Sequence, residues 1–231
     1  MKLTKVFTFG CSFSEYMFKV TKPYGKYISD ELNVEYVHEG AGCGSNSRIF
    51  RKFFSYLRNG DINETTLVTL QFTERIRDEF WFYNVLEMDN CSHHGSIPMI
   101  ENFDGGGIFK YKHDSYTWNN EKTLSRIMKD KTDYCLSEKF STEKSLNMIY
   151  AIIEMCKYKK IPYVIMDGSY NTYDGIFNQF KNNNESIIVD YSDIQSKYPA
   201  LIDGSDELDY SHISQEGHIE LGKKILNKLK L

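Results

Sequence analysis

Apolar residues along the chain form short β-type runs, and stretches with helical spacing separate these runs. The runs are rich in Val, Ile, Leu and Phe, and between them apolar residues recur every three or four positions. Strands that alternate with helices form right-handed βαβ units, which give a parallel sheet with helices on both faces. The pattern predicts five strands, at 6–9, 34–37, 66–72, 162–166 and 186–189. We therefore expect a three-layer α/β/α fold whose five-stranded parallel sheet is ordered like that of flavodoxin.

Capping residues indicate where the helices begin and end. Proline suits the first turn of a helix, serine and threonine accept hydrogen bonds from its first N–H groups, and glycine commonly follows its last residue. The predicted caps are Pro23, Ser45 or Ser47, Thr142 and Ser214 at amino ends, and Asn59-Gly60 at a carboxyl end.

The segment 81–140 interrupts this alternation. It holds both tryptophans of the chain and three consecutive glycines at 105–107, and it has no sustained periodicity. A stretch of this length within a compact domain is typical of an active-site cover or of a surface flap. We predict an insertion after the third strand that acts as a lid on the catalytic edge, with a flap that does not touch substrate as the alternative.

The composition fits a single domain over residues 1–231. Apolar residues make up 41% of the chain, which is enough for a core. The net charge is −4 and no basic stripe is present, so no nucleic-acid partner is expected. Five cysteines without paired spacing indicate reduced thiols and a cytoplasmic location. We see neither a signal-peptide core nor a membrane-spanning run, so no membrane partner is expected, and the oligomeric state is left open.

The first predicted strand runs directly into Gly10-Cys11-Ser12-Phe13-Ser14. This order places a serine at the carboxyl end of a strand, where open α/β sheets bind their ligands. The N–H group of that serine can lie at the start of the next helix, which suits an anion. Small residues after a strand are also ordinary turn chemistry. By itself, the motif therefore predicts only a candidate nucleophile, Ser12.

Near the other end of the chain, Asp209-Tyr210-Ser211-His212 precedes the last predicted helix. Asp209 and His212 can share one turn of loop or helix, so that the carboxylate orients the imidazole and leaves its other nitrogen free as a base. The two ends of a chain often meet at one edge of an α/β sheet, which would bring His212 to Ser12. His218, in the first turn of that helix, is expected to pack or to hydrogen-bond locally.

Taken together in chain order, these motifs resemble the conserved blocks of the SGNH, or GDSL-type, serine hydrolases. Residues 10–14 stand where that family has Gly-Asp-Ser-Leu-Ser, and residues 209–212 stand where it has Asp-x-x-His. Residues 40–46 resemble the second block, in which Gly44 best matches the glycine that binds the oxyanion. The resemblance implies a Ser12–His212–Asp209 triad, with the N–H groups of Ser12 and Gly44 facing the oxyanion.

Two positions depart from the family pattern. Cys11 stands where the first block has aspartate. At 71–74 the chain reads Gln-Phe-Thr-Glu where the third block has Gly-x-Asn-Asp, so Thr73 takes the place of the oxyanion asparagine. The missing donor can come from the hydroxyl of Thr73 or from the side chain of Asn46.

Other chemistries fit the residues less well. Gly40-x-Gly42-x-Gly44 lacks the third glycine of a dinucleotide fingerprint, because position 45 is serine. Cys91-Ser92-His93-His94 has no second Cys/His pair at ligand spacing, so neither a metal nor a cofactor is predicted. Cys11 is a rival nucleophile, but the family pattern favours Ser12 and cysteine is often a small buried hydrophobe.

The sequence thus predicts a serine ester hydrolase that acts on an acyl or acetyl ester of a small molecule or a carbohydrate. Two alternatives stay open. One is a non-catalytic carbohydrate-binding module that keeps the cleft, and the other is an acyltransferase that uses the same acyl-serine.

Overall fold

The computed structural model describes residues 2–11, 14, 16, 19–40, 45–73, 78–79, 96–97, 138–167, 187–189, 191–201 and 207–229. In the first half of the chain the elements are β1 (Lys5–Gly10), α1 (Tyr24–Leu32), β2 (Glu35–Gly40), α2 (Asn46–Asn59), β3 (Thr66–Phe72), β4 (Asp78–Glu79) and β5 (Ser96–Ile97). In the second half they are α3 (Glu138–Lys159), β6 (Tyr163–Asp167), β7 (Ile187–Val189), α4 (Tyr191–Lys197), β8 (Pro199–Leu201), β9 (Leu208–Ile213) and α5 (Gln215–Leu229).

Five of these strands form the main sheet in the order β2-β1-β3-β6-β7, and every neighbouring pair is parallel. This is the expected flavodoxin-like order. All seven residues of β3 are buried, as expected for a central strand that is covered on both faces. The three-layer α/β/α fold is therefore confirmed.

Two apolar clusters fill the space between the sheet and its helices. On one face, Phe7 and Phe9 of β1 pack with residues of α2 and α3 such as Phe53 and Ile152. On the other face, Val6 packs with residues of α1, α4 and α5. Because successive side chains of a strand point to opposite faces, one strand supplies both clusters. The clusters fix both helical layers against the strands that lead to the candidate site.

Most predicted helix ends agree with the structure. Ser45 is the N-cap of α2 and accepts a hydrogen bond from the N–H of Arg48, and Gly60 closes this helix in the left-handed conformation at φ 82°. Ser214 accepts a hydrogen bond from the N–H of Gly217 in the first turn of α5. Thr142 is not a cap, because α3 begins at Glu138 and places Thr142 inside the helix.

The predicted insertion lies between β3 and α3. Within 81–140 the structure describes only β5, which pairs antiparallel with β4 just before the segment, and the first residues of α3. The rest of 81–140 lies outside the described residues, so its role as a lid stays a prediction. None of the helices in the described ranges is both long enough and apolar enough to cross a membrane.

Candidate active site

The carboxyl ends of β1, β2 and β3 lie side by side at one edge of the sheet. Gly10 is the last residue of β1 and pairs in register with Gly40, the last residue of β2. Thr73 follows the last residue of β3 and is fully buried. Ser12 and Gly44 lie outside the described residues, two and four positions beyond the ends of their strands. The three strands that precede the sequence-predicted motifs therefore end at the same edge, as parallel neighbours do.

The Asp209–His212 motif lies on a strand and not on one turn of loop or helix, which corrects the expected local structure. It belongs to β9, which pairs antiparallel with β8. Adjacent residues Pro199 and Ala200 pair with Ile213 and Asp209, so residues 210–212 are extra residues in β9. Such bulges bend a strand and re-aim its side chains, and they are common beside active sites. His212 is partly buried within this bulge.

The first turn of α5 ties this region to the segment that precedes α1. The amide of Gln215 accepts hydrogen bonds from the N–H groups of Thr21 and Lys22, at 2.9 Å each, and donates to the carbonyl of Lys22 at 2.8 Å. His218 Nδ1 accepts a hydrogen bond from the N–H of Tyr24, the first residue of α1, at 3.3 Å. His218 thus caps α1 from another helix, since the first N–H groups of a helix have no partner within it.

His212, His218 and His38 are electrostatic neighbours. Burial, reinforced by His212 and His38, lowers the pKa of His218 to about 3. Burial also lowers the pKa of His38 to about 4, with Glu39 acting against the shift and Arg48 adding to it. His38 lies on β2 two residues before Gly40, so His218 is within electrostatic reach both of His212 and of a residue near the common strand edge.

The side chain of Asn46 binds the backbone of Thr73. The N–H of Thr73 donates to Asn46 Oδ1 at 2.9 Å, and Asn46 Nδ2 donates to the carbonyl oxygen of Thr73 at 3.0 Å. The same nitrogen donates to Ser145 Oγ of α3 at 3.2 Å. Both amide hydrogens are therefore in use, and Asn46 would have to give one up to bind an oxyanion. Among the predicted replacements for the family asparagine, this favours the hydroxyl of Thr73.

A buried ion pair holds the two ends of the segment that contains Gly44. Arg48 of α2 donates to the backbone carbonyl of Glu39 at 2.6 Å and to its Oε2 at 3.1 Å. Tyr56 donates a short hydrogen bond to the same carboxylate, and burial together with this bond raises the pKa of the Tyr56 phenol to about 12. Lys52 lies 3.3 Å from Glu39 Oε2. The end of β2 and the start of α2 are thus fixed to each other on both sides of residues 41–44.

Two glycines at the ends of β1 and β2 allow polar side chains to approach the backbone closely. A Cβ atom on Gly10 would collide with Ser14 Oγ, and one on Gly40 would lie 2.7 Å from Ser14 Oγ and 2.9 Å from His38 Nε2. The side chain of Gln71, beside Gly10 on β3, is fully buried. Within the described part of the chain, His38 Nε2 and both polar atoms of the Gln71 amide lack hydrogen-bond partners. Such orphaned groups occur mainly where a site stores strain or takes up water or ligand.

Cys11 is fully buried and packs in the same apolar cluster as Val6. This agrees with its reading as a small buried hydrophobe and argues against a rival nucleophile, which must be accessible to substrate. His218 packs as expected, although its hydrogen-bond partner Tyr24 is distant in the sequence.

Three features of this site could not be seen in the sequence: the Glu39–Arg48 ion pair, the close approach of Ser14 and His38 to Gly10 and Gly40, and the His218 cap. Their partners come from different elements, so no local spacing signals them. The one available sign in the sequence was that some residues of these strands, such as His38 and Gln71, are polar.

No protein-family model matches the chain, and no curated protein matches it by sequence. Solved structures do resemble it along nearly its whole length. The psychrotrophic esterase EstA from Pseudoalteromonas sp., in a structure inhibited by monoethylphosphonate, is 9% identical with a TM-score of 0.52, and the match covers 98% of this chain and 97% of EstA.

Two further structures show the same similarity. A member of the lipolytic protein G-D-S-L family from Veillonella parvula is 11% identical with a TM-score of 0.52, and the match covers 98% of each chain. The lipase Lip_vut3 from a goat rumen metagenome is 11% identical with a TM-score of 0.50, and the match covers 97% of this chain and 96% of that one. The chain therefore has the fold of the SGNH, or GDSL-type, lipolytic hydrolases.

Proposed function

We propose that this protein is a serine ester hydrolase that cleaves an acyl or acetyl ester of a small molecule or a carbohydrate. Ser12 attacks the ester carbonyl, and His212 takes its proton and later passes it to the leaving alcohol. Asp209 orients the imidazole and stabilises its charged form. The N–H groups of Ser12 and Gly44, together with the hydroxyl of Thr73, bind the oxyanion.

One observation carries this proposal. Three parallel strands, which Ser12, Gly44 and Thr73 follow in the sequence, end at one edge of the sheet. Both His212 and His38, which lies near that edge, are within electrostatic reach of His218. The first turn of α5 ties the segment after His212 to the segment before α1. Nucleophile, base and oxyanion donors must converge on one reacting carbon. The meeting of both chain ends here supports such convergence.

A binding module without catalytic activity is the second candidate, and one observation favours it. Thr73, which replaces the family asparagine, is fully buried. A single oxyanion donor contributes about 3 kcal/mol to lowering the barrier, so a site without its third donor would be slower by roughly a hundredfold or more. Such a chain could keep the cleft and lose the reaction.

Phosphonate labelling distinguishes these functions. EstA is inhibited by monoethylphosphonate, and a fluorophosphonate probe tests this chain in the same chemical class. We expect mass spectrometry to find the probe on Ser12. Ser12→Ala and His212→Ala should each abolish turnover of a short-chain aryl ester, whereas Cys11→Ala should retain most of it.

Three results would redirect the proposal. A chain that neither labels nor turns over ester is a binding module. Turnover that persists in Ser12→Ala and is lost in Cys11→Ala moves the nucleophile to Cys11. Ester consumption that rises with an added sugar acceptor and outpaces hydrolysis identifies an acyltransferase.

A further inference from the structure

The amide of Asn46 joins three elements at the candidate site. Asn46 is the first residue of α2, its side chain binds both backbone polar groups of Thr73 just beyond β3, and its Nδ2 also binds Ser145 of α3. The side chain is buried, at 1% exposure. The orientation of the amide is fixed by these contacts, because the flipped amide would place its NH2 group against the N–H of Thr73.

This contact pairs both backbone polar groups of Thr73 just past the end of the β3–β6 ladder. The last pair between β3 and β6 is Phe72 with Asp167, so Thr73 lies one residue past that ladder. A buried backbone N–H or C=O group without a partner costs about 1 to 3 kcal/mol. By bonding to both groups, the amide holds the Thr73 backbone in one place and thereby fixes the origin of its side chain.

The same residue also fixes the second oxyanion motif. Asn46 follows the N-cap Ser45 and stands two residues after Gly44. When its side chain binds Thr73, the start of α2 is held at a set distance from the end of β3. Oxyanion donors act mainly through preorganisation, so the spacing between two of them matters as much as their presence.

We propose that Asn46 is a positioning residue that sets the spacing between the Gly44 and Thr73 oxyanion donors, and that it is not itself a donor. This inference rests on the proposed ester hydrolase function. It assigns to Asn46 an indirect part in the reaction, because both of its amide hydrogens are held by Thr73 and Ser145.

A double-mutant cycle between Asn46 and Thr73 tests the inference. Thr73→Val removes the hydroxyl and keeps the shape, and alone it should lower kcat for an aryl ester roughly tenfold to a thousandfold. Asn46→Ala should lower kcat roughly tenfold to a hundredfold and change KM by less than about threefold, because oxyanion contacts form mainly in the transition state. In the Asn46→Ala background, Thr73→Val should change kcat by less than about threefold, since a misplaced hydroxyl has little left to contribute.

Two variants serve as controls. Ser145→Ala removes the third hydrogen bond of Asn46 but keeps both of its bonds to Thr73, and it should leave kcat within about threefold of the parent value. Asn46→Asp keeps the volume and the acceptor for the Thr73 N–H but places an oxygen against the Thr73 carbonyl, and it should reproduce the loss in kcat. It also replaces Asn46→Ala if that variant does not fold.

A second measurement does not depend on activity. Hydrogen exchange at the Thr73 amide should accelerate at least tenfold in Asn46→Ala, while the amide of Leu70 within β3 keeps its protection. Unchanged exchange at Thr73 would refute the contact, and multiplicative effects in the cycle would refute the positioning role. If the parent chain neither labels nor turns over ester, but Asn46→Ala still accelerates exchange at Thr73, the hydrolase function and the catalytic part of this proposal are refuted. The contact between Asn46 and Thr73 is then retained.

Discussion

Two buried side-chain amides lie near the end of β3, and they differ in how well they are hydrogen-bonded. Asn46 binds Thr73 twice and Ser145 once. Gln71 is fully buried, and neither polar atom of its amide has a partner among the residues that the structure describes. An unpartnered buried amide costs free energy that a bonded one does not. At this scale the site therefore combines one stabilising polar residue with one destabilising polar residue.

Replacing Gln71 should stabilise the fold. Gln71→Met keeps the length of the side chain and removes the desolvated amide, so we expect the free energy of unfolding to rise by about 1 kcal/mol. Urea denaturation at neutral pH measures this change in the free energy of unfolding. Thr69→Val is the matched control, because the Thr69 hydroxyl is bonded to Thr8 at 2.9 Å, and it should lower the free energy of unfolding by about 1 kcal/mol. A loss of stability in Gln71→Met would mean that the amide has a partner outside the described residues.

At the scale of elements, β2 and α2 are joined on both sides of the segment 41–44. The side chains of Arg48 and Glu39 are 9% and 11% exposed, so their ion pair is largely removed from water. Arg48 also donates to the Glu39 carbonyl. Removing one partner of a buried pair leaves a charge without compensation. This pair therefore holds the end of β2 and the start of α2 in one arrangement.

Neutralising Glu39 should lower the free energy of unfolding far more than removing the cation of Lys52. Glu39→Gln leaves Arg48 charged and buried, and we expect the free energy of unfolding to fall by about 3 kcal/mol. Lys52→Met removes the cation that is 26% exposed, and its cost should stay below about 1 kcal/mol. Thermal and urea unfolding compare the two variants. Equal losses would show that the ion pair is not effectively buried.

The end of α2 offers a test of backbone conformation alone. Gly60 has φ 82°, and a Cβ atom built there meets nothing within 4 Å. Gly60→Ala should therefore lower the free energy of unfolding by about 1 kcal/mol through backbone strain without a steric clash. Gly60→Asn should cost less, since asparagine tolerates the left-handed region. Urea denaturation of both variants checks the order, and a cost for asparagine equal to that for alanine would contradict it.

At the scale of the whole molecule, the two ends of the chain are held together through α1 and α5. Gln215 and His218 bind the backbone of residues 21–24, nearly two hundred positions away in the sequence. His218 can cap α1 only while its Nδ1 is unprotonated, because a protonated ring nitrogen cannot accept the N–H of Tyr24. The stability of the whole fold is thereby linked to the protonation of one buried imidazole.

Acid should destabilise the protein through His218. Its pKa is lowered to about 3 in the folded chain from 6.5, so between these values the unfolded chain binds more protons. Stability is therefore fully present above about pH 6.5 and falls as the pH is lowered towards 3, by roughly 3 to 5 kcal/mol from His218. His38 acts in the same direction between about pH 6.5 and 4.

Urea denaturation at a series of pH values from about 4 to 8 measures this linkage. His218→Asn is the matched variant, because its side-chain oxygen can replace Nδ1 as the acceptor for Tyr24 and does not titrate. We expect this variant to depend less steeply on pH than the parent chain. Parallel pH profiles would show that His218 is not the group responsible.

The α/β class and most helix ends could be predicted from the sequence, because these follow from local periodicity and from caps within a few residues. The expected flavodoxin-like strand order was confirmed only by the pairing of the strands. It also placed Ser12, Gly44 and Thr73 after neighbouring strands, and the roles of these residues remain predictions. The pairing of β8 with β9, and hence the bulge at His212, could not be predicted, because a strand forms only when its partner is present.

The hydrogen-bond partners of the polar side chains could be found only in the tertiary structure. Asn46 meets Thr73 and Ser145 across 27 and 99 residues of sequence, and these hydrogen bonds occupy both amide hydrogens of a residue that the sequence offered as a candidate oxyanion donor. His218 finds its partner across 194 residues. Hydrogen bonds depend on distance and direction in space, whereas sequence patterns report only neighbours along the chain. The same asparagine can therefore bind substrate or support a strand end, and only the packing of α2 against β3 determines which.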